Sequence, residues 1–545
     1  NQQNHSSPAP LDLAGTGAWR VSGAAFNGGL GQPLDLIAEF ANLPVAKRIL
    51  PAKAAHSGLL SSKLQGVLRS PTFEITGPRL WYRLYGNGGK VRLVIDGLQL
   101  IRDPIYGGLE FGPGAVEPHW QEQNLSKWVG HRAYVELVDD GDGFLALEQL
   151  LFADTKPADS TPEMLANCQR AAVVAEALAQ LEASSAATNE RHVALSRRAA
   201  ELAERQRDIE ARIAPPNATP AMADGTGENE HVFIRGNHKT LGDEVPRRFL
   251  EVLGGCEHAP PASGSGRLEL ARQLVSPECP LVPRVIVNRL WHHHFGAGLV
   301  RSPDDFGVMG QPPTHPELLD YLATELVENG WSLKHLHRLM VLSNAYRMTS
   351  EVDPGRDAAD PQNKLWHRMA VRRLEAESIR DAVLFVSGEL DETMYGPGVM
   401  PHLTEFMVGR GRPGVSGPLD GDGRRSIYLA VRRNFLAPMF LAFDYPTPFT
   451  TIGRRGTSNV PAQALAMMNN PLVIEQAGKW ADRTLSDPAR SPEARIREMY
   501  TSAFGREPDE RELRAGLDFV ADGNRQSWSD YAHVLLNVKE FIYIP

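Results

Sequence analysis

Cysteine is scarce in this chain: Cys168, Cys256 and Cys279 are the three present in 545 residues, widely spaced and without a CxxC pair. That pattern argues against a disulfide framework or a cysteine zinc site, and without CxxCH it excludes covalent haem in this chain. A basic surplus is lacking too. Lys and Arg number 57 against 66 Asp and Glu, a net charge of −9, so composition gives no case for nucleic acid or an anionic membrane. Apolar runs are short and interrupted by charge, which predicts no transmembrane helix. No GxSxG, HExxH, P-loop or Rossmann fingerprint occurs. The first residue is Asn, and no signal-peptide pattern follows it, so the expectation is a fragment or processed chain. Its length predicts several domains.

Residues 1–20 are polar and expected to fray. From 21 to 158 the pattern is that of strands. Phe73–Ile75, Leu80–Tyr85, Val91–Ile95 and Ala133–Val138 carry β-branched and aromatic residues in partial alternation. Turn signals separate them, including Asp96-Gly97 and Asp139–Gly143. Short strands so punctuated predict an antiparallel β-sandwich. Trp81 and Tyr85, with Tyr82 and Trp120, are candidates for stacking on a sugar, although core and edge positions account for the same aromatics. Asp139, Asp140 and Asp142 cluster the carboxylates that calcium takes, with an acidic β-turn as the competing and favoured reading.

Over 159–214 the composition turns to Ala, Glu, Arg, Leu and Gln, good helix formers, broken near 184–189. This predicts a helical hairpin acting as a spacer, followed by a flexible linker over 215–230. Residues 231–545 read as a mainly α domain with a few short strands. Leu318, Leu319, Leu322 and Leu326, then Leu333, Leu336, Leu339 and Met340, fall at helical spacings that predict buried faces. Thr314–Glu317 and Asp509–Glu512 have the form of capping boxes. The fold class expected is a multidomain α+β chain: jelly-roll-like sandwich, helical spacer, mainly α C-terminal domain.

Six of the 17 histidines lie between Arg284 and Tyr346. His293 and His315, with Asp304 and Asp305, are candidates for a catalytic or metal-binding group. Adjacent histidines on a helix point about 100° apart, so only one or two of His292, His293 and His294 face one centre. Paired arginines recur at 247–248, 372–373, 424–425, 432–433 and 454–455. In a strand such a pair sends its guanidinium groups to opposite sides, and the planar fork suits carboxylate or sulfate. Arg372, Arg373, Arg425, Arg433 and Arg455 are therefore candidate ligand contacts, with salt bridges to Glu375, Glu377 and Asp381 as the competing role.

Two stretches resemble known families. GVLRSPTFEITG, VRLVIDG and VELVDDGDGFLALEQLLF resemble the galactose-binding-like modules of secreted carbohydrate-active proteins. VFIRGN, GDEVPRRFLEVL, VIVNRLWHHHFGAGLV, SPDDFGVMGQPPTHPELLDYLA, RRSIYLAVRRN and VPAQALAMMNNP resemble the DUF1553 region, a domain of unknown function abundant in planctomycete secreted proteins. There it usually accompanies DUF1549 and cytochrome c modules, neither visible in this chain. The resemblance implies an extracytoplasmic protein, secreted, periplasmic or on the cell surface, that binds or degrades polysaccharide. It implies no catalytic residues. Two further readings remain: a non-catalytic glycan-binding scaffold, and an electron-transfer partner whose haem lies outside this chain. Cytochrome c-type proteins or secreted enzymes are the partners these readings imply.

Overall fold

A computed structural model describes residues 19–27, 30–33, 35–38, 46–50, 52–97, 108–159, 165–170, 172–173, 176, 190–213, 227, 229–238, 240–251 and 264–544. The chain divides into two units, Asn1–Ala271 and Arg272–Pro545.

Alternation builds the first unit. In the strand Arg132–Asp139, Ala133, Val135 and Leu137 are buried while Arg132, Tyr134 and Glu136 stay partly exposed, as a strand covered on one face requires. One antiparallel sheet runs Arg20–Gly23, Gly66–Arg69, Arg132–Asp139, Lys90–Ile95, Glu110–Phe111, and Phe73–Glu74 also pairs with Arg132–Asp139. The second runs His119–Asn124, Arg79–Gly86, Leu145–Phe152, Ala54–His56, Leu30–Gly31. Their inner faces share one core, with Tyr82, Leu84, Leu93, Ile95, Val135 and Leu147 at its centre. This is the expected antiparallel β-sandwich. Trp19 belongs to that core, so packed chain begins inside the stretch expected to fray. Residues 1–18 lie outside the described residues.

Of the expected helical hairpin, 165–170 and Glu190–Arg212 are helical. Its joint at 184–189 and most of the 215–230 linker lie outside the described residues. Glu230–Phe233 then pairs with Leu241–Val245 as a small antiparallel hairpin.

Helices make up most of the second unit. Leu281–Phe295 carries the histidines in its last turn and stops at Gly296, whose φ of 84° and amide bond to the His292 carbonyl form a left-handed cap. Trp291 and Phe295 stack one turn apart, ring centroids 3.9 Å, and pack with Leu319, Leu322, Leu326, Leu336 and Met340. Asn288, fully buried, donates to the Val300 carbonyl at 2.9 Å and accepts from its amide at 2.8 Å. That clamp folds the GAGLV turn back on the helix. A Cβ on Gly298 would meet the Asn288 amide at 2.7 Å, so glycine is required there. A second core gathers Ile379, Val383, Trp480, Trp528, Tyr531 and Leu535. Arg372–Arg373 pairs with the chain's last strand, Tyr543–Ile544.

The capping expectations divide. Asp509 and Glu512 form the reciprocal box. At the other site, the helix is Pro316–Glu328 and its N-cap is His315, without a side-chain cap. Proline at N1 has no N–H to satisfy, and Thr314 instead bonds back to Leu299, its amide at 2.8 Å. No helix among the described residues is long and apolar enough to cross a membrane.

Candidate functional site

Two short elements meet at the end of the histidine helix: the Arg372–Arg373 strand and the loop 453–458. Strand geometry parts the two guanidinium groups. Arg372 turns to the helix end, donating to the His293 carbonyl at 2.6 Å, with its stem so close over Gly296 that a Cβ there would meet Arg372 Cδ at 2.8 Å. A cation on the last carbonyls complements the helix dipole. Arg373 turns the other way and its side chain is 3% exposed. It donates to Asp444 Oδ2 at 2.8 Å and to the carbonyls of Ser458 and Phe443 at 2.6 and 3.1 Å. Asp444 also accepts from the Ser458 amide and hydroxyl, each at 2.8 Å. Burial pushes the Asp444 carboxyl up, but Ser458 and Arg373 together hold it below the ordinary carboxylate value.

That bond set locks the 453–458 loop. Arg455 is then committed to Glu377 by a bidentate pair at 2.6 and 2.9 Å, with Glu375 at 3.3 Å. Arg454, its neighbour, is exposed and has no hydrogen bond or ion pair to any described residue. Gly453 lies against Asp304, since a Cβ at that position would fall on the Asp304 carboxylate. The carboxylate of Asp304 is exposed.

His292 completes the group. Burial, and then the positive surroundings of His293, Arg454 and Arg372, push its imidazole below the ordinary value. His294 is lowered in the same way, by burial and by His337, Arg372 and His293, and its Nε2 lies 2.7 Å from His337 Nδ1. The result is a neutral imidazole beside the guanidinium groups of Arg372 and Arg454, with Asp304 against the same loop. An acidic oxygen set suits the cations; the imidazole offers a lone pair.

Of the residues singled out from sequence, Asp304, His293 and Arg372 come to this place, and Arg455 borders it through Arg454. Asp305 accepts from the Gly307 amide at 2.8 Å, and His315 Nδ1 lies 3.0 Å from Thr314 Oγ1; both are engaged within their own turns. Arg425 and Arg433 are exposed elsewhere, Arg425 against Met394 Sδ at 3.7 Å and Arg433 over Phe449 at 5.8 Å. His292 and Arg454 were the residues sequence reasoning passed over. The one available signal was the rule that neighbours in an RR pair face opposite ways, which did not say which member would be spent on a salt bridge.

In the first unit, Trp81 is 6% and Tyr85 1% exposed. Both are interior aromatics, Trp81 donating to the Ala153 carbonyl at 3.0 Å, so they present no open face for a sugar. The aspartate turn is engaged within its own unit. Burial pushes the Asp139 carboxyl up, Lys90 holds Asp140 at 2.6 Å, and among the described residues no three acidic, histidine or cysteine side chains are placed to hold a metal ion.

A helical domain with a polar group at one helix end is the class this unit defines. Residues 266–520 match the family model PSD1, "Protein of unknown function (DUF1553)", a span narrower than the 231–545 the motifs implied. No curated protein matches. Among solved structures, a family two carbohydrate esterase from Cellvibrio japonicus aligns at 15% identity, over 26% of this chain and 36% of that one. Its TM-score of 0.13 carries no argument.

Proposed function

We propose that this protein is an extracytoplasmic polysaccharide-binding protein, and that its DUF1553 region takes an acidic group of the glycan, a carboxylate or a sulfate, at Arg372 and Arg454. The observation that supports this is the spare guanidinium of Arg454, held beside a second cation and a neutral imidazole by a loop whose other charges are already neutralised. Arginines with carboxylate partners cannot serve a ligand without losing those partners, which takes Arg373 and Arg455 out of the contact set. The test is an array of sulfated, uronic-acid and neutral glycans, with analysis of products after long incubation. Binding is expected for the acidic glycans, weakening with salt, with affinity at the Arg454 site falling at least tenfold in Arg454→Ala. Equal binding of neutral glycans, or none to any, overturns the reading.

A second reading follows from His292. A neutral imidazole beside cations that offset a uronate carboxylate suits β-elimination. The imidazole takes the proton α to the carboxylate, the C–O bond to the next sugar breaks, and the leaving oxygen takes a proton from water. An unsaturated product, seen by its ultraviolet absorbance and lost in His292→Gln, would support it; acidic glycan returned intact leaves binding alone.

A further inference from the structure

We infer that the outer face of the β-sandwich holds a separate anion-binding cleft, built around Arg69, for a single acidic sugar unit. The inference rests on the reading above only for its ligand class; its residues belong to the first unit.

Alternation places the residues. Leu68 and Ala133, Val135 and Leu137 face the core, so their neighbours Arg69, Arg132 and Tyr134 stand on the opposite face. The Arg69 guanidinium carbon lies 3.6 Å from the centre of the Tyr134 ring. The segment after the helical spacer returns over this face, and between them lies a cavity of about 220 Å³. That is the space of roughly seven waters, enough for one sugar unit. Gly227, Asn229, Glu230 and Arg247 form its second wall.

Charge bookkeeping then points to the ligand. Three arginines and two acids line the cavity. Glu230 accepts from Arg132 at 2.8 Å, and Asp96 lies 2.8 Å from His131 Nδ1, so the arginines exceed the acids by one charge. Arg247 gives one guanidinium nitrogen to the Gly264 carbonyl at 2.5 Å. The Arg69 side chain has no hydrogen bond or ion pair to any described residue and lies over the Tyr134 ring. A carboxylate or sulfate supplies the bidentate acceptor a guanidinium fork fits. Thr72, Asn229 and the protonated Tyr134 hydroxyl, its pKa raised chiefly by burial, add neutral groups suited to sugar hydroxyls. A ring face is not on offer, because Arg69 covers Tyr134. Recognition is therefore by charge and hydrogen bond, without stacking.

The experiment is calorimetric titration of the full chain with a uronate trisaccharide, a sulfated trisaccharide, their neutral counterpart and inorganic sulfate. Two backgrounds are used: the unaltered protein and Arg454→Ala. In Arg454→Ala one acidic-oligosaccharide site is expected to remain. It should weaken at least tenfold in Arg69→Gln/Arg454→Ala, with circular dichroism unchanged, and less in Arg69→Lys/Arg454→Ala, which keeps the charge and loses the fork. Which acidic trisaccharide binds decides between carboxylate and sulfate; sulfate alone binding marks an anion site without sugar recognition and overturns the sugar assignment. No acidic binding in Arg454→Ala, or binding indifferent to Arg69, overturns the cleft. A single acidic-oligosaccharide site in the unaltered protein, sensitive to Arg69 and unchanged in Arg454→Ala, would count against the proposed function alone.

Discussion

Arg372 and Arg373 are chemically identical neighbours with unrelated fates, and strand geometry accounts for it. One guanidinium lies on a helix end, accessible; the other is buried among Asp444, Ser458 and Phe443. Removing Arg373 leaves the Asp444 carboxylate with only its Ser458 donors and strands the carbonyls of Ser458 and Phe443 that the guanidinium had satisfied. Arg373→Met is therefore expected to lower the denaturant midpoint of the second unit strongly, whereas Arg372→Met, at a more open site, is expected to move it little. Equilibrium unfolding followed by tryptophan fluorescence checks both. At this scale the sequence showed which residue types were unusual, the repeated RR pairs above all. It did not show which arginine would be neutralised, because Asp444 lies 71 residues from Arg373 in the chain.

The histidine helix was legible as an element: apolar spacing gave its buried face, and the glycine after Phe295 gave its end. The proton affinity of its last turn was not. Burial and the approach of His293, Arg454, Arg372 and His337 push His292 and His294 down, and three of those four neighbours belong to other elements. The sign follows directly. With folded values below the unfolded imidazole value of about 6.5, the folded state holds fewer protons as pH drops through that range. The contribution to stability is whole above about pH 6.5 and is lost as pH falls through the folded values. Thermal midpoints measured from pH 8 to pH 5 should fall below that point, and the fall should flatten in His292→Gln/His294→Gln. An unchanged slope in the double variant would mean carboxylates govern the range.

At the scale of the whole molecule, each unit has a core of its own, one centred on Val135 and Leu137 and another on Val383 and Trp528. Two cooperative transitions are expected in scanning calorimetry. Leu137→Ala, a cavity in the first core costing about 2–5 kcal/mol, should lower one of them; Arg373→Met should lower the other. Composition by itself carried the expectations of no thiol framework, no attached haem and no membrane-spanning helix, and no helix among the described residues is long and apolar enough to cross a membrane. Apolar periodicity decided that a β-sandwich precedes a helical domain, because each strand or helix must hide its own apolar side within a few residues of sequence. Motif order brought out the DUF1553 region. Tertiary structure decided what the charged residues do. Whether Arg69 or Arg454 is spent on a carboxylate, whether Trp81 lies open or buried, and whether three aspartates in a turn converge all depend on partners brought together by folding, and electrostatic free energy is set by distance in space, which residue spacing along the chain does not contain.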